Sequence, residues 1–505
     1  MRRRAFLAGS AAALAAPGLR PPAAAPAATA TPSLLPAARA RAAAPYRPPS
    51  DRLPPPFAGL TYDAYRAIRP RPGRAAMLPL GEAYAADLLP PGFYFRAPVA
   101  IELPADGGGF AEQAFAPTLF DFAPRYFDAV PDGAPGAGFS GLRLRHPLNT
   151  AGVMDEFLVV QGASYFRAIG EAMVYGLSAR AVAIGTGGPG PEEFPRFTRL
   201  RLHRADGGAL RLEAVLDGPS LAGHVAMTVR PGEDTATDMV VTLLPRREIT
   251  GAGVAPLTSM FLKGPMQAAV ADDFRPRVHD SDVLVIENGA GERLWRPVAN
   301  PARVESSAFV DDGPAAFGLW QTPRRFEAFE DSEARYHDRP SARVVPDGDW
   351  GAGAVVLVEL PTGDEFMDNV VAFWRPSRAL RAGREYRFAY RLTWTRRPPL
   401  GPGARSVRQS RSGREHDRPG TRRFVVDFEG DAAGLMPDLW ASGDAAVSGS
   451  SLFALPAARG TRVTFLLRPG AENSVELRLV LRDRGGAAAS PVWLYRWTRA
   501  RDGGV

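Results

Sequence analysis

TRLRLHRADGGALRLEAVLDGPSLAGHVAMTVRPGEDTATDMVVTLL, residues 198–244, decides the fold class. From Thr198 to His203 the chain alternates, with Leu200 and Leu202 on one face. Asp206-Gly207-Gly208 then supplies a turn, and Leu210, Leu212 and Ala214 continue the same face. Side chains that alternate at period two about a glycine turn predict a β-hairpin. Val225, Met227 and Val229 repeat the pattern, Pro231-Gly232-Glu233-Asp234 turns, and Met239 to Leu244 reads as a buried strand.

The same grammar runs outward in both directions. Val463, Phe465 and Leu467 alternate, Pro469-Gly470 turns, Val475, Leu477, Leu479 and Leu481 answer, and Val492 to Thr498 is a final strand. Few windows read as helical, the best being Arg324 to Asp338, with Phe326, Phe329 and Ala334 on one face. Gly (52) and Pro (49) make up about a fifth of the 505 residues, which suits many turns and argues against a helical bundle. The class is therefore all-β with short helices. A break rich in Pro and Gly falls after Thr395, and the strands beyond it suffice for a small sandwich.

Charge looks at first like that of a nucleic-acid binder, at +7. Its distribution says otherwise. Residues 1–44 hold six Arg and no acid, and residues 396–423 hold nine Arg against Glu415 and Asp417. Without the first segment the net charge is +1, and without both it is −6. The second run lacks the interleaved aromatics that stack bases, and reads as a solvated connector rather than as a site for an anionic polymer or lipid headgroup. No nucleic-acid partner is expected. Cys is absent, which excludes disulfides, thiolate metal sites and a Cys nucleophile; the six His form no ligand motif, so no metal and no cofactor is expected.

Residues 2–19, RRRAFLAGSAAALAAPGL, have the grammar of an export signal, and Arg3-Arg4-Ala5-Phe6-Leu7 fits the twin-arginine pattern. Residues 20–44 read as an Ala/Pro-rich spacer without periodicity. No later apolar run reaches the ~18 residues of a membrane span, so an integral membrane protein is not expected.

Among motifs, Gly185-Thr186-Gly187-Gly188-Pro189-Gly190 matches a dinucleotide fingerprint by letters only. Pro189, Pro191 and Pro195 prevent the helix that such a site requires, so this is a turn. Acid residues concentrate in two segments, Asp272 to Asp282 and Asp364 to Asn369. Glycoside cleavage needs one carboxylic acid for the leaving oxygen and a second group to activate water. Asp368 precedes an apolar run, Val370 to Trp374, where burial would favour the protonated acid, and Asn369 beside it can donate a hydrogen bond. The competing reading makes these loop acids in Asx turns and ion pairs. Trp295, Arg296, Trp320, Trp350 and Trp374 stand near turn residues and could form a sugar-binding wall; four tryptophans in a sandwich core is the alternative.

These segments resemble the periplasmic glucan biosynthesis proteins of the MdoG/OpgG and OpgD family. The resemblance rests on Leu60-TYDAYRAIRPRP, Ala163-SYFRAIGEAMVYGLSARAVAI, Pro191-EEFPRFT, Asp272-DFRPRVHDSD, Trp295-RPVANP, Phe317-GLWQ, Asp349-WGAGAVVLVELPT, Asp368-NVVAFWRP and Arg423-FVVDFEG, and spans nearly the whole chain beyond residue 43. The twin-arginine leader looks more like the OpgD branch. The resemblance implies a large N-terminal β-sandwich of mutarotase-like type at 45–395, a linker at 396–403 and an immunoglobulin-like domain at 404–505. It also implies a periplasmic location, a role in making β-1,2-linked glucan, and, as in some members, inverting endo-hydrolysis. On the family's motifs Asp368 takes the place of the acid, Asp280 that of the second catalytic carboxylate, and Tyr336 that of a relay or sugar contact.

Two departures stand out. Ala328-Phe329-Glu330-Asp331 replaces the family's H-Y-Q-D, and Ser341-Ala342-Arg343-Val344-Val345-Pro346 replaces S-L-W-V-E-P. An aromatic and a carboxylate are thereby lost near the expected cleft. Two functions follow as expectations: a hydrolase that trims glucan, or a non-enzymatic glucan-binding partner of an inner-membrane glucosyltransferase.

Overall fold

The computed structural model describes residues 33–502, apart from 268–271, 401–404 and 456–459. The expected leader lies outside the described residues. No described helix is long and apolar enough to cross a membrane.

The stretch that opens the sequence analysis forms an antiparallel meander of Arg196–Leu202, Leu210–Asp217, Leu221–Arg230 and Thr235–Pro245. Gly207 and Gly208 take φ of 57° and 72° in its first turn, a conformation that a side chain would resist. Leu212, Met227 and Met239 lie side by side across three strands and are fully buried. Each such side chain contributes about 1.5–3 kcal/mol by leaving water. Tyr386–Thr395 and Ser341–Asp347 extend the meander on one side and Ala100–Pro104 on the other, within a sheet of fourteen described strands. A second sheet, of eleven, carries Gly141–His146, Asp155–Gln161, Ala252–Ser259, Gly353–Glu359 and Val370–Pro376. One apolar core takes residues from both sheets, so the body is a β-sandwich.

The outer face of the meander is covered too. Helix Leu35–Ala43 lays Ala38 against Val215 and Leu244, so the end of the segment expected to be spacer is part of the fold. A buried carboxylate anchors it. Glu213 accepts the Leu34 backbone N–H at 2.8 Å, the Arg211 guanidinium at 2.7 Å, and contacts from His203 and His224 at 3.1 and 2.8 Å. Although burial alone would raise it, these partners hold its carboxyl far below the ordinary range.

At the carboxyl end, Val407–Arg414, Arg422–Glu429, Gly460–Arg468 and Ala446–Leu455 form a four-stranded sheet. Its apolar face packs on Ser474–Arg482 and Val492–Thr498, which belong to the fourteen-stranded sheet. Gly460–Arg468 and Ser474–Arg482 are therefore not a hairpin; Pro469-Gly470 carries the chain from one sheet to the other. The arginine-rich run is not a connector either. Most of its second half is the first hairpin of this small sandwich, Ser410 pairing with Val426 and Gly413 with Arg423. The charge of this half of the run therefore belongs to a folded sheet and not to a solvated connector. The small sandwich joins the large one through a parallel pairing, Leu294 with Val492 and Trp295 with Trp493.

The helix expected at 324–338 is instead two short 3-10 turns, Phe326–Ala328 and Tyr336–Asp338. Arg335 between them takes φ 50°, which interrupts any helical run. Gly185 and Gly187 lie in a loop at φ 74° and 70°, as the turn reading requires.

Glu213→Ala should strip four donors of their acceptor at once, costing about 3–5 kcal/mol. Urea unfolding should show this loss, and hydrogen exchange should show faster opening across 34–43 than in the meander core.

Candidate functional site

Two pairings bring the acidic segments together. Ser259 of Ala252–Ser259 lies opposite Val370, which places Asp368 and Asn369 beside residues 260 and 261. Phe261 lies opposite His279, which places Asp280 beside Met260. The Asp280 N–H donates to the Met260 carbonyl at 2.8 Å. Asn369, fully buried, receives the Phe261 N–H at 2.8 Å and donates to the carbonyls of Phe261 and Leu360 at 3.0 and 2.9 Å. The hydrogen bond expected of Asn369 therefore goes to backbone, and its effect is to seat Asp368.

The two carboxylates have unlike surroundings. Asp368 is one-third exposed rather than buried, and its Oδ2 lies 3.3 Å from Arg167 Nη2. Asp280 is 4% exposed and takes an ion pair from Arg339. Burial raises the Asp280 carboxyl above its ordinary range, the Arg339 charge opposes this, and the Asp368 charge adds to the rise. Asp280 thus lies within electrostatic reach of Asp368. The desolvation expected at Asp368 falls on Asp280.

Around Asp280 runs a charged network. The Arg339 guanidinium lies 4.3 Å from the centre of the Tyr336 ring. Tyr336 is buried and its hydroxyl donates to Glu365. Burial and that carboxylate raise the phenol well above its usual range, so it keeps its proton and serves as a donor. Glu365 also receives Arg275 at 2.8 Å, and Arg275 binds Asp273 at 2.6 Å and Asp331 at 2.8 Å. Asp331 in turn caps the N–H groups of Glu333 and Ala334. The ordinary reading holds for the remaining acids: Asp364 accepts the Phe366 N–H, and Asp282 accepts the N–H and hydroxyl of Thr322.

His279 stiffens the floor. It stacks on Phe261 with ring centres 5.3 Å apart and meets Gln321 Oε1 at 2.6 Å. Complete burial pushes its imidazole down to about 3, so it is neutral. Phe329 packs edge-on against His279 and stacks on Tyr336. That departure from the family pattern therefore sits in packed interior. Arg343, on the outward face of Ser341–Asp347, pairs with Glu287 at 2.7 Å rather than with any residue of the acidic network.

The tryptophans are not a sugar wall. Trp350 and Trp374 belong to the main core, with Trp350 Nε1 donating to the Ala389 carbonyl at 3.2 Å. Trp295 and Trp320 are buried in the core that joins the two sandwiches. Arg296 is buried 3.6 Å from Glu359, with Nη1 on the Pro297 carbonyl. All five were expected near a cleft because turns flank them. The four rings are instead buried in apolar cores, where large apolar area is worth most, three of them on strands and Trp350 in the loop before Gly353–Glu359. The aromatics that do stand in water beside the acids are Phe274, 81% exposed, and Phe366, 90% exposed. Sequence reasoning passed over these, and over Arg167, Arg275, Arg339 and Glu365 as partners. All but Arg339 lie inside or beside segments already singled out, but nothing in a segment states which distant acid an Arg will meet.

Fold and site define an all-β protein with two carboxylates, Asp280 and Asp368, each held by an arginine. The family model described as periplasmic glucan biosynthesis protein, MdoG, matches residues 31–497. A glucans biosynthesis protein G of Vibrio cholerae serotype O1 is 42% identical over 465 residues, covering 90% of this chain and 84% of the relative. That of Shewanella frigidimarina is 41% identical over 461 residues, covering 90% and 82%. A galactose mutarotase related enzyme from Lactobacillus acidophilus overlays 52% of this chain and 94% of its own with a TM-score of 0.23 and 8% identity, too slight a likeness to bear on function. The chain belongs to the MdoG family of periplasmic glucan biosynthesis proteins, and its role lies in that biosynthesis.

The neutral His279 gives a test of the floor. The unfolded chain gains a proton on this residue below about pH 6.5, whereas the fold does not until about 3. Its stabilising contribution is present above 6.5 and is lost as pH falls through that window, at about 1.4 kcal/mol per pH unit. Urea unfolding between pH 6 and pH 4 should therefore show a steeper loss for the native chain than for His279→Asn; equal slopes would refute the assignment.

Proposed function

We propose that the groove holding Asp280 and Asp368 binds β-1,2-linked glucan and shortens it by inverting endo-hydrolysis. The observation that carries this is the convergence of two acids, 88 positions apart in sequence, on residues 260 and 261, where strand Ala252–Ser259 passes into Phe261–Lys263. Inversion needs one carboxyl at the leaving oxygen and a water on the opposite face of the sugar. Asp368, partly exposed, is the carboxyl that a bound chain can reach, and is the acid in this reading. Asp280, at the base of the groove, reaches the sugar only through an intervening water and is the group that draws the proton from it. Arg339 stabilises the Asp280 carboxylate while it waits, and Tyr336 and Glu365 keep Arg339 in place. Phe274 and Phe366 offer ring faces for sugar stacking. The β-1,2 linkage itself rests on the family resemblance.

A second reading has one observation on its side. Arg167 occupies an oxygen of Asp368, which an acid must release to donate its proton. In that reading the groove only binds glucan and the protein accompanies an inner-membrane glucosyltransferase. Linear β-1,2-glucan incubated with the protein separates the two: new reducing ends and falling chain length support hydrolysis, and saturable binding without either supports the second. Asp368→Asn should lower the rate about 10²–10⁴-fold with the circular-dichroism spectrum unchanged.

The site of action proposed is the periplasm, reached through the twin-arginine leader. Replacing Arg3 and Arg4 together with Lys should leave the protein in the cytoplasmic fraction; periplasmic recovery of that variant would exclude the route.

A further inference from the structure

A second cavity, of about 480 Å³, opens between the large sandwich and the first strand of the small one. It is lined by none of Asp280, Asp368, Tyr336 or Arg339. Seven arginines line it, against Asp282, Glu327 and Glu429. Two of the seven are committed elsewhere: Arg396 to Asp338 at 3.2 Å, and Arg397 to Glu233 and Asp234 at 2.8 Å. Asp282 is likewise committed to Thr322.

Four of the others, Arg277, Arg324, Arg325 and Arg411, have no ion-pair partner among the described residues. Arg324 gives its donors to two uncharged oxygens, the Arg339 carbonyl and the Ser341 hydroxyl. Burial pushes it down to about 10 and the Arg396 charge pushes the same way, against the opposing charges of Asp282 and Asp338. Arg277 reaches the Ala328 carbonyl at 3.3 Å. Burial lowers it as well; Asp282 opposes this, and the charges of Arg411 and Arg325 reinforce it. Arg411 bonds Gln409 Oε1 at 2.7 Å. Among the described residues, no carboxylate lies within ion-pair distance of Arg277, Arg324, Arg325 or Arg411. Like charges that repel one another across an open cavity are stabilised together by an anion placed between them.

We propose that this cavity is a binding site for a phosphate-bearing ligand. Guanidinium groups converging from several directions match the multiple charged oxygens of a phosphate, each able to donate a forked pair of hydrogen bonds. Met266, Pro398 and Pro399 on the wall give room for an apolar remainder beside the phosphate. The arginines come from both sandwiches, with Arg277 and Arg324 on one and Arg411 on the other, so an occupant would clamp the two.

The test uses the full chain in 150 mM salt, where diffuse attraction is screened. Calorimetric titration with inorganic phosphate should saturate at one per chain. Arg325→Gln combined with Arg411→Gln, both exposed positions, should weaken that binding at least tenfold, while Arg418→Gln on the outer turn should leave it unchanged. Flotation with phosphatidic acid vesicles identifies the source: binding that needs the same two arginines points to a lipid headgroup, and phosphate binding without flotation points to a soluble ester. Absence of saturation with phosphate, equal affinity in the double variant, or flotation without phosphate binding would overturn the proposal.

Discussion

The groove depends on the side chain of Asn369. A strand end that must stop pairing leaves backbone N–H and C=O groups buried, and each is costly unless bonded. Asn369 satisfies three of them at once, on Phe261 and Leu360. In doing so it ties the loop that carries Asp364, Glu365 and Asp368 to the strand whose other neighbour carries Asp280. An amide suits this task because it both donates and accepts; a carboxylate in the same place could only accept.

From that anchor the charges follow. A fold with one Lys and sixty Arg must place many guanidinium groups, and the deepest of them are the ones with fixed partners. Arg339 lies between Asp280 and the Tyr336 ring, and Arg275 among three carboxylates. Planar donors of this kind hold two or three acceptors in one geometry, which a Lys at the same place would not. The groove is therefore stiff where it is charged. Phe274 and Phe366 stand exposed in the same two acidic segments, and Asp368 is one-third exposed.

Reading period two was enough to recognise the meander at 196–245, because one face of it is buried and the turn glycines leave no doubt about direction. The acidic segments were also legible, since acids among aromatics and turn formers are unusual at a strand end. Which acid is buried was not legible. Val370 to Trp374 made Asp368 look like the desolvated one, yet Asp368 stands in the loop before that strand begins, one-third exposed, while the short pairing of Phe261 with His279 carries Asp280 inside. The helical reading of 324–338 failed because Phe329 and Tyr336 are drawn under His279 and Arg339, and two tight turns reach them where a helix would not. The tryptophans and the arginine-rich run were misplaced for a shared reason: local composition records polarity, not which sheet lies opposite.

By itself, the sequence determined the all-β class, the strand faces, the glycine turns and the family, because these depend on spacing between near neighbours and on long matching segments. Only the tertiary structure decided that the small sandwich continues the sheet of the large one through Trp295 and Trp493, that helix Leu35–Ala43 is clamped by Glu213, and that Asp280 and Asp368 flank residues 260 and 261 with unequal access to water. Each of these is set by a contact between residues tens or hundreds of positions apart. Such contacts form where burial of apolar area and the pairing of charge are satisfied together, and no local window of the chain contains both partners.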